Sequence, residues 1–287
     1  MNATNSQPQA HTGPIGIFDS GIGGLSVLRH LRQHLPHENF LYFADSSHAP
    51  YGDKSEVIIA ARSLTIVKFL LDSGIKALVV ACNTATAVAI QAIRRMYPHL
   101  PIIGIEPGLK PAVLQTRSKI VGVLATQATL LSSRLLALKQ QISETTSVHF
   151  ELQPCIGLVE QIEKGELRSA ATAKLVQYYI APLLAQGADT LVLGCTHYPF
   201  VRPLIEETIR LSTNNPIAII DTSAAINRQL VNVLSTHALL QTHQHSGTVT
   251  AFTTGNQSCM KIACTKLGQA ISNITALTLP TEAFNRS

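Results

Sequence analysis

What this 287-residue chain has little of sets the first limits on its function. Charge is sparse, at 14% Asp, Glu, Lys and Arg, and the formal surplus of +5 is spread along the chain without a basic run or interleaved aromatics. Nucleic-acid and anionic-membrane surfaces concentrate their cations, so both partner classes are set aside and only a weak preference for small anions remains. No apolar run is long enough to span a membrane. The most apolar stretch, 77–93, is interrupted by Asn83, Thr84, Thr86 and Gln91 and reads as a strand followed by a helix. The five cysteines form no spaced framework, and an odd number in a chain this long points to free thiols in a reducing compartment, hence a cytoplasmic protein. Residues 1–13 carry neither a charged n-region nor an apolar h-region, so a flexible tail is expected there and not a signal peptide.

What is present is an ordinary globular composition, 46% hydrophobic and rich in Ala, Leu and Ile, with room for one large or two medium domains. An internal repeat favours two. Ala77-Leu78-Val79-Val80-Ala81-Cys82-Asn83-Thr84 aligns with Thr190-Leu191-Val192-Leu193-Gly194-Cys195-Thr196-His197, apolar over apolar, small over small, cysteine over cysteine. The match extends downstream, where 102–106 corresponds to 217–221, and upstream, where 15–20 corresponds to 121–126 with Ala125 in the place of Asp19. The spacing predicts an α/β protein made of two pseudo-symmetric, doubly wound lobes whose largely parallel sheets face a central cleft. The expected division is a tail over 1–13, a first lobe over 14–105 plus 217–287, and a second lobe over 106–216. Within it we expect helices over 129–142, over 156–163 and from 221 to about 240, and a hairpin-like pair of strands near 248–253 in a tail that returns to the first lobe.

Each repeat ends an apolar strand at a thiol and then breaks, the position at which open α/β sheets hold ligands. Thiols on opposite walls allow one to take a proton from a carbon while the other delivers one to the opposite face, which inverts the centre. Cys82 and Cys195 each precede a helical segment, where thiol acidity can be tuned. Ser20, Asn83, Thr84, Thr196 and His197 add donors suited to carboxylates, and Asp19 and His197 are candidates to assist the thiol on their own wall. The glycine-rich turn 19–24 does not fit a dinucleotide fingerprint, because the third glycine would fall at Ser26 and Asp19 crowds the turn with negative charge. Cys195-Thr196-His197 lacks the paired spacing of a zinc site. Cys155, Cys259 and Cys264, without polar partner phrases, read as structural cysteines.

Taken in order, Phe18-Asp19-Ser20-Gly21-Ile22-Gly23-Gly24-Leu25, Tyr51-Gly52, Ala81-Cys82-Asn83-Thr84-Ala85-Thr86-Ala87, Glu106-Pro107-Gly108 and Leu193-Gly194-Cys195-Thr196-His197-Tyr198-Pro199 resemble the glutamate racemases, cofactor-independent enzymes that supply D-glutamate for bacterial peptidoglycan. The resemblance spans nearly the whole chain. It implies Cys82 and Cys195 as the acid/base pair, Cys82 working on D-glutamate and Cys195 on L-glutamate, with Asp19 and His197 as helpers. It further implies substrate contacts from Asp19, Ser20, Tyr51, Gly52, Asn83, Thr84, Thr196 and His197. Glu160 matches a family glutamate that supports the histidine, although Gln153-Pro154-Cys155 departs from the Ala-Cys-Pro phrase usual before it. No metal and no pyridoxal cofactor are implied, the partner is small-molecule glutamate, and a homodimer is admitted. Two other readings share the same residues: an aspartate or hydantoin racemase differing in the distal pocket, and a carboxylate-binding sensor that has kept the lobes and lost catalysis.

Overall fold

The computed structural model describes residues 13–241, 245–269 and 271–280, so the expected tail lies outside the described residues except for Gly13. The first unit runs Ile15–Asp19 (β1), Leu25–His34 (α1), Phe40–Ala44 (β2), Glu56–Asp72 (α2), Ala77–Val80 (β3), Asn83–Met96 (α3) and Ile102–Gly104 (β4). Two short 3-10 turns, Ser46–His48 and Tyr51–Asp53, lie between β2 and α2. The chain then crosses through Leu109–Gln115 (α4) into Ile120–Ala125 (β5), Gln127–Leu131 (α5), Ser133–Thr146 (α6), His149–Pro154 (β6), Leu158–Glu163 (α7), Ala170–Ala185 (α8), Thr190–Leu193 (β7), Arg202–Ser212 (α9) and Ala218–Ile220 (β8). It returns through Ser223–Thr236 (α10) to Val249–Thr253 (β9), Gln257–Lys266 (α11) and Asn273–Ala276 (β10).

Two all-parallel sheets result, one in the order β10-β9-β2-β1-β3-β4 and the other β6-β5-β7-β8. Without β9 and β10, the two orders superpose strand for strand, and the repeat read from sequence is therefore a repeat of structure. β1, β3 and β7 are buried along their whole length, as Val/Ile/Leu strands covered on both faces must be. Their side chains alternate between cores: Ala77 and Val79 face the large cluster that runs through both lobes, while Leu78 and Val80 face a separate cluster under α2 and α3. Each fully buried Leu or Val contributes roughly 1.5–3 kcal/mol, which lets the scaffold carry buried polar groups at its strand ends.

Five expectations need correction. β8 pairs with β7, so residues 218–220 belong to the second sheet and not to the first lobe as the expected boundary had it. The strands of the tail form no hairpin: β9 pairs parallel with β2 and β10 parallel with β9, with α11 as the crossover a parallel pair requires. The helix expected over 129–142 is two helices, because Ser132 leaves helical geometry and its hydroxyl accepts from the Leu135 amide at 3.3 Å, capping α6. The helix expected over 156–163 starts only at Leu158, after Gly157 at φ +80, and α10 stops at Thr236.

Candidate active site

The site forms where the middle strands of both sheets end. Phe18 pairs with Val80 and Leu124 with Leu193, which places Asp19-Ser20 beside Ala81-Cys82 in one lobe and Ala125-Thr126 beside Gly194-Cys195 in the other. The two ends face one narrow cleft lined by Ser20, Pro50, Tyr51, Gly52, Cys82, Asn83, Thr84, Thr126, Val159, Cys195, Thr196 and His197. The structure thus brings both thiols and seven other expected site residues to a single cavity.

The Cys82 sulfur caps α3, accepting from the Ala85 amide at 3.4 Å, and lies 3.7 Å from the Ser20 hydroxyl. A helix N-terminus by itself lowers the pKa of a thiol. Here burial wins: it pushes the Cys82 pKa up to about 12, with the nearby Asp19 adding to the rise and the Ala85 and Ser20 donors opposing it. Asp19 is fully buried behind the cavity wall, where Gly21 N–H donates to Oδ2 at 3.1 Å and the Thr196 hydroxyl donates to Oδ1 at 3.1 Å. Burial raises its pKa, partly offset by His197. Asp19 therefore reaches across to the second lobe, and is not confined to the Cys82 wall.

On the other side, His197 Nδ1 lies 3.7 Å from the Cys195 sulfur and Nε2 lies 2.6 Å from Glu163 Oε1. Burial alone would lower the His197 pKa, but the hydrogen bonds and charges of Cys195 and Glu163 outweigh it and hold the imidazole well above its ordinary value. The carboxylate on His197 thus belongs to Glu163, not to the expected Glu160. Glu160 sits one turn earlier on α7 and lines an adjoining cavity with Pro50, Gly52 and Cys155. Glu163 Oε1 also accepts from the Ile22 amide of the first lobe at 2.8 Å. That approach needs the glycine turn, since a methyl group at Gly21 would overlap the Glu163 carboxylate and one at Gly23 the His197 ring.

Three cavity residues were missed from sequence: Pro50, Val159 and Thr126. Only Thr126 left a signal, for it occupies in the second repeat the place Ser20 holds in the first. Its hydroxyl lies 2.9 Å from that of Thr84, across the cleft. α7 presents glutamates at 160 and 163, and nothing in its pattern says which turn meets the histidine. Cys155 and Cys264 are buried and Cys259 is exposed. Burial pushes the Cys155 thiol up, against the Tyr198 hydroxyl beside it.

A duplicated α/β fold with one buried thiol at the same strand end of each copy defines a class of two-thiol cleft proteins. The sequence model of the Asp/Glu/Hydantoin racemase family matches residues 23–230, and the chain belongs to that family. It is 53% identical over 227 residues to the glutamate racemase of Stutzerimonas stutzeri (strain A1501), covering 79% of this chain and 84% of that one. Among solved structures, glutamate racemase isoform RacE1 from Bacillus anthracis superposes with a TM-score of 0.83 at 30% identity, covering 95% of this chain and all (100%) of that one. The Escherichia coli glutamate racemase, solved in complex with L-glutamate and the activator UDP-MurNAc-Ala, superposes with a TM-score of 0.78 at 29% identity, covering 93% of this chain and 99% of that one. Among the described residues no helix is long and apolar enough to cross a membrane.

Proposed function

We infer that this chain interconverts L- and D-glutamate by a two-thiol mechanism and supplies D-glutamate for peptidoglycan synthesis in a reducing cytoplasm that keeps the thiols free. The observation that carries the reading is the placement of Cys82 and Cys195 at equivalent strand ends on facing walls of one cleft. With its pKa near 12, Cys82 holds its proton at neutral pH and is poised to donate. Beside Cys195, an imidazolium at His197 compensates negative charge on sulfur, so this wall is poised to accept. L-glutamate bound between them loses its α-proton to Cys195, and the carbanion takes the Cys82 proton on its opposite face. The product is D-glutamate, and the two walls have exchanged protonation states.

Asp19 meets a specific need in that cycle. Once Cys82 has given up its proton, the thiolate and an ionised Asp19 would be two buried anions in one wall, which the raised proton affinity of Asp19 relieves. Asn83, Thr84 and Thr196 offer the donors for the substrate carboxylates, and a glutamate ligand bridging them would span both lobes. Turnover of L-glutamate against L-aspartate, followed by optical rotation, tests the substrate: a clear preference for aspartate would overturn the assignment. Exchange of the α-hydrogen in heavy water tests catalysis itself, since a carboxylate-binding sensor would show none.

A further inference from the structure

At the carboxyl end of β2, one residue beyond the Ala44 that pairs with Asp19, lies a carboxylate that the thiol chemistry does not use. Asp45 has no solvent exposure, and its amide donates to the Asp19 carbonyl at 3.0 Å. Five donors converge on it: the Tyr51 hydroxyl at 2.7 Å, Arg62 Nε at 3.0 Å and a second guanidinium nitrogen at 2.8 Å, the Thr254 hydroxyl at 2.9 Å and His48 Nδ1 at 3.1 Å. A carboxylate has about four lone-pair sites, so this one is saturated. Its donors come from the loop after β2, from α2 and from the end of β9. Burial would raise its pKa, but the Arg62 fork and the Tyr51 hydroxyl bring it below the ordinary carboxylate value.

The loop that Asp45 holds is also a wall of the cleft. Tyr51 is buried with its hydroxyl turned onto Asp45, so the loop meets the cleft through Pro50, the tyrosine body and Gly52. Gly52 leans on the second lobe closely enough that a Cβ there would lie 2.7 Å from the Thr126 Cβ. Thr126 in turn contacts Thr84. A shift of the loop would therefore change the width of the cavity at the end bounded by Thr84 and Thr126, while leaving the sulfur contacts to Ser20, Ala85 and His197 in place.

We propose that Asp45 is a positioning residue for substrate binding, fixing the 50–52 wall through Tyr51 and thereby setting affinity for the substrate and not the rate of proton transfer. The inference rests on the racemase reading of the cleft. An interaction that acts equally on bound ground state and transition state changes KM and leaves kcat alone. Steady-state racemisation in both directions by Tyr51→Phe, Asp45→Asn and the double variant provides the test. Tyr51→Phe removes only the hydroxyl, and the loss of one hydrogen bond to a charged group is expected to raise KM for both enantiomers about 10-fold, with kcat within about 3-fold of the parent. Asp45→Asn should raise KM in the same sense but add little on top of Tyr51→Phe, because both act through one contact. Asp45→Asn leaves Arg62 without its counter-charge; if it does not fold, Thr254→Val removes a donor from outside the loop and should raise KM by a smaller factor. An unmoved KM in Tyr51→Phe, a fall in kcat at constant KM, or additive effects in the double variant would each overturn the proposal. A parent enzyme that does not racemise glutamate would overturn the functional reading and this inference with it, whereas an active parent with unmoved KM overturns this inference alone.

Discussion

The two halves of the molecule share a strand order and part company one residue after each thiol. In the first, α3 begins at Asn83, so the Cys82 sulfur serves as its cap and faces the Ser20 hydroxyl. In the second, Thr196 and His197 follow, a 3-10 turn spans Tyr198–Val201, and α9 begins only at Arg202, so the Cys195 sulfur faces an imidazole instead of helix amides. Both cysteines precede helical segments, as expected, but only the Cys82 sulfur caps one. Duplication supplied one scaffold twice, and in the proposed mechanism differences within two residues of each sulfur are what distinguish a donor wall from an acceptor wall. Two-base inversion requires that inequality at every moment of turnover, although the walls trade roles between directions.

The comparison breaks most sharply if one thiol suffices. Cys82→Ser and Cys195→Ser should each lower racemisation by about 10³-fold or more, the scale of a lost positioned acid or base, as read from the optical rotation of either enantiomer. Near-parental turnover by either variant would remove the two-wall reading. Next comes the helper on the second wall. Glu163→Gln should lower kcat by roughly 10²-fold and move the alkaline limb of the rate profile to lower pH, because His197 loses the carboxylate that raises its pKa. Glu160→Gln should stay within about 3-fold of the parent, a span too small for a lost catalytic group. Reversed magnitudes for the two glutamines would return the role to Glu160.

Asp19 and Asp45, at the ends of adjacent strands, sharpen the contrast in another way, for their pKa values move in opposite directions. Above the ordinary carboxylate value of about 4 the unfolded chain has ionised while Asp19 in the folded protein retains its proton, so this residue costs stability as pH rises through that window. Asp19→Asn should therefore melt higher than the parent at neutral pH while losing activity. Asp45 contributes stability that is present above the same value and is lost as pH falls through its lowered folded pKa. Asp45→Asn, which strands a buried guanidinium, should cost about 3–5 kcal/mol at neutral pH, with the difference shrinking on acidification. Denaturation of both variants from pH 3 to 8 checks the signs. A small effect is expected of Ser20→Ala: loss of a hydroxyl that favours the Cys82 thiolate should lower kcat/KM about 3-fold.

What could be read from the sequence was what the repeat carried. Strand–thiol phrases at 77–84 and 190–197 gave both cysteines, their polar neighbours and the parallel order, because buried parallel strands are continuous apolar runs that alignment detects. The boundary at 217 failed although the repeat itself matched 217–221 to 102–106; following that match would have placed β8 in the second sheet. Glu163 and the Asp45 cluster were illegible for a different reason. They depend on which turn of α7 meets a side chain 34 positions away and on the pairing of β2 with β9 some 209 positions along, contacts fixed only by packing between elements. No local pattern records such contacts.

The return of the chain to its first sheet has a consequence for how the protein comes into being. Along the direction of synthesis, the second sheet is complete once Ile220 has been joined, whereas the first gains β9 and β10 only with the stretch ending at Ala276. A chain arrested between them holds one finished sheet and another whose β2 edge is bare, from Phe40 to Ala44, with Asp45 short of its Thr254 donor. A bare, apolar, parallel edge invites pairing with other chains. β9 and β10 are therefore also the guard on that edge, and the cluster around Asp45 gains its Thr254 donor in the same step that closes it.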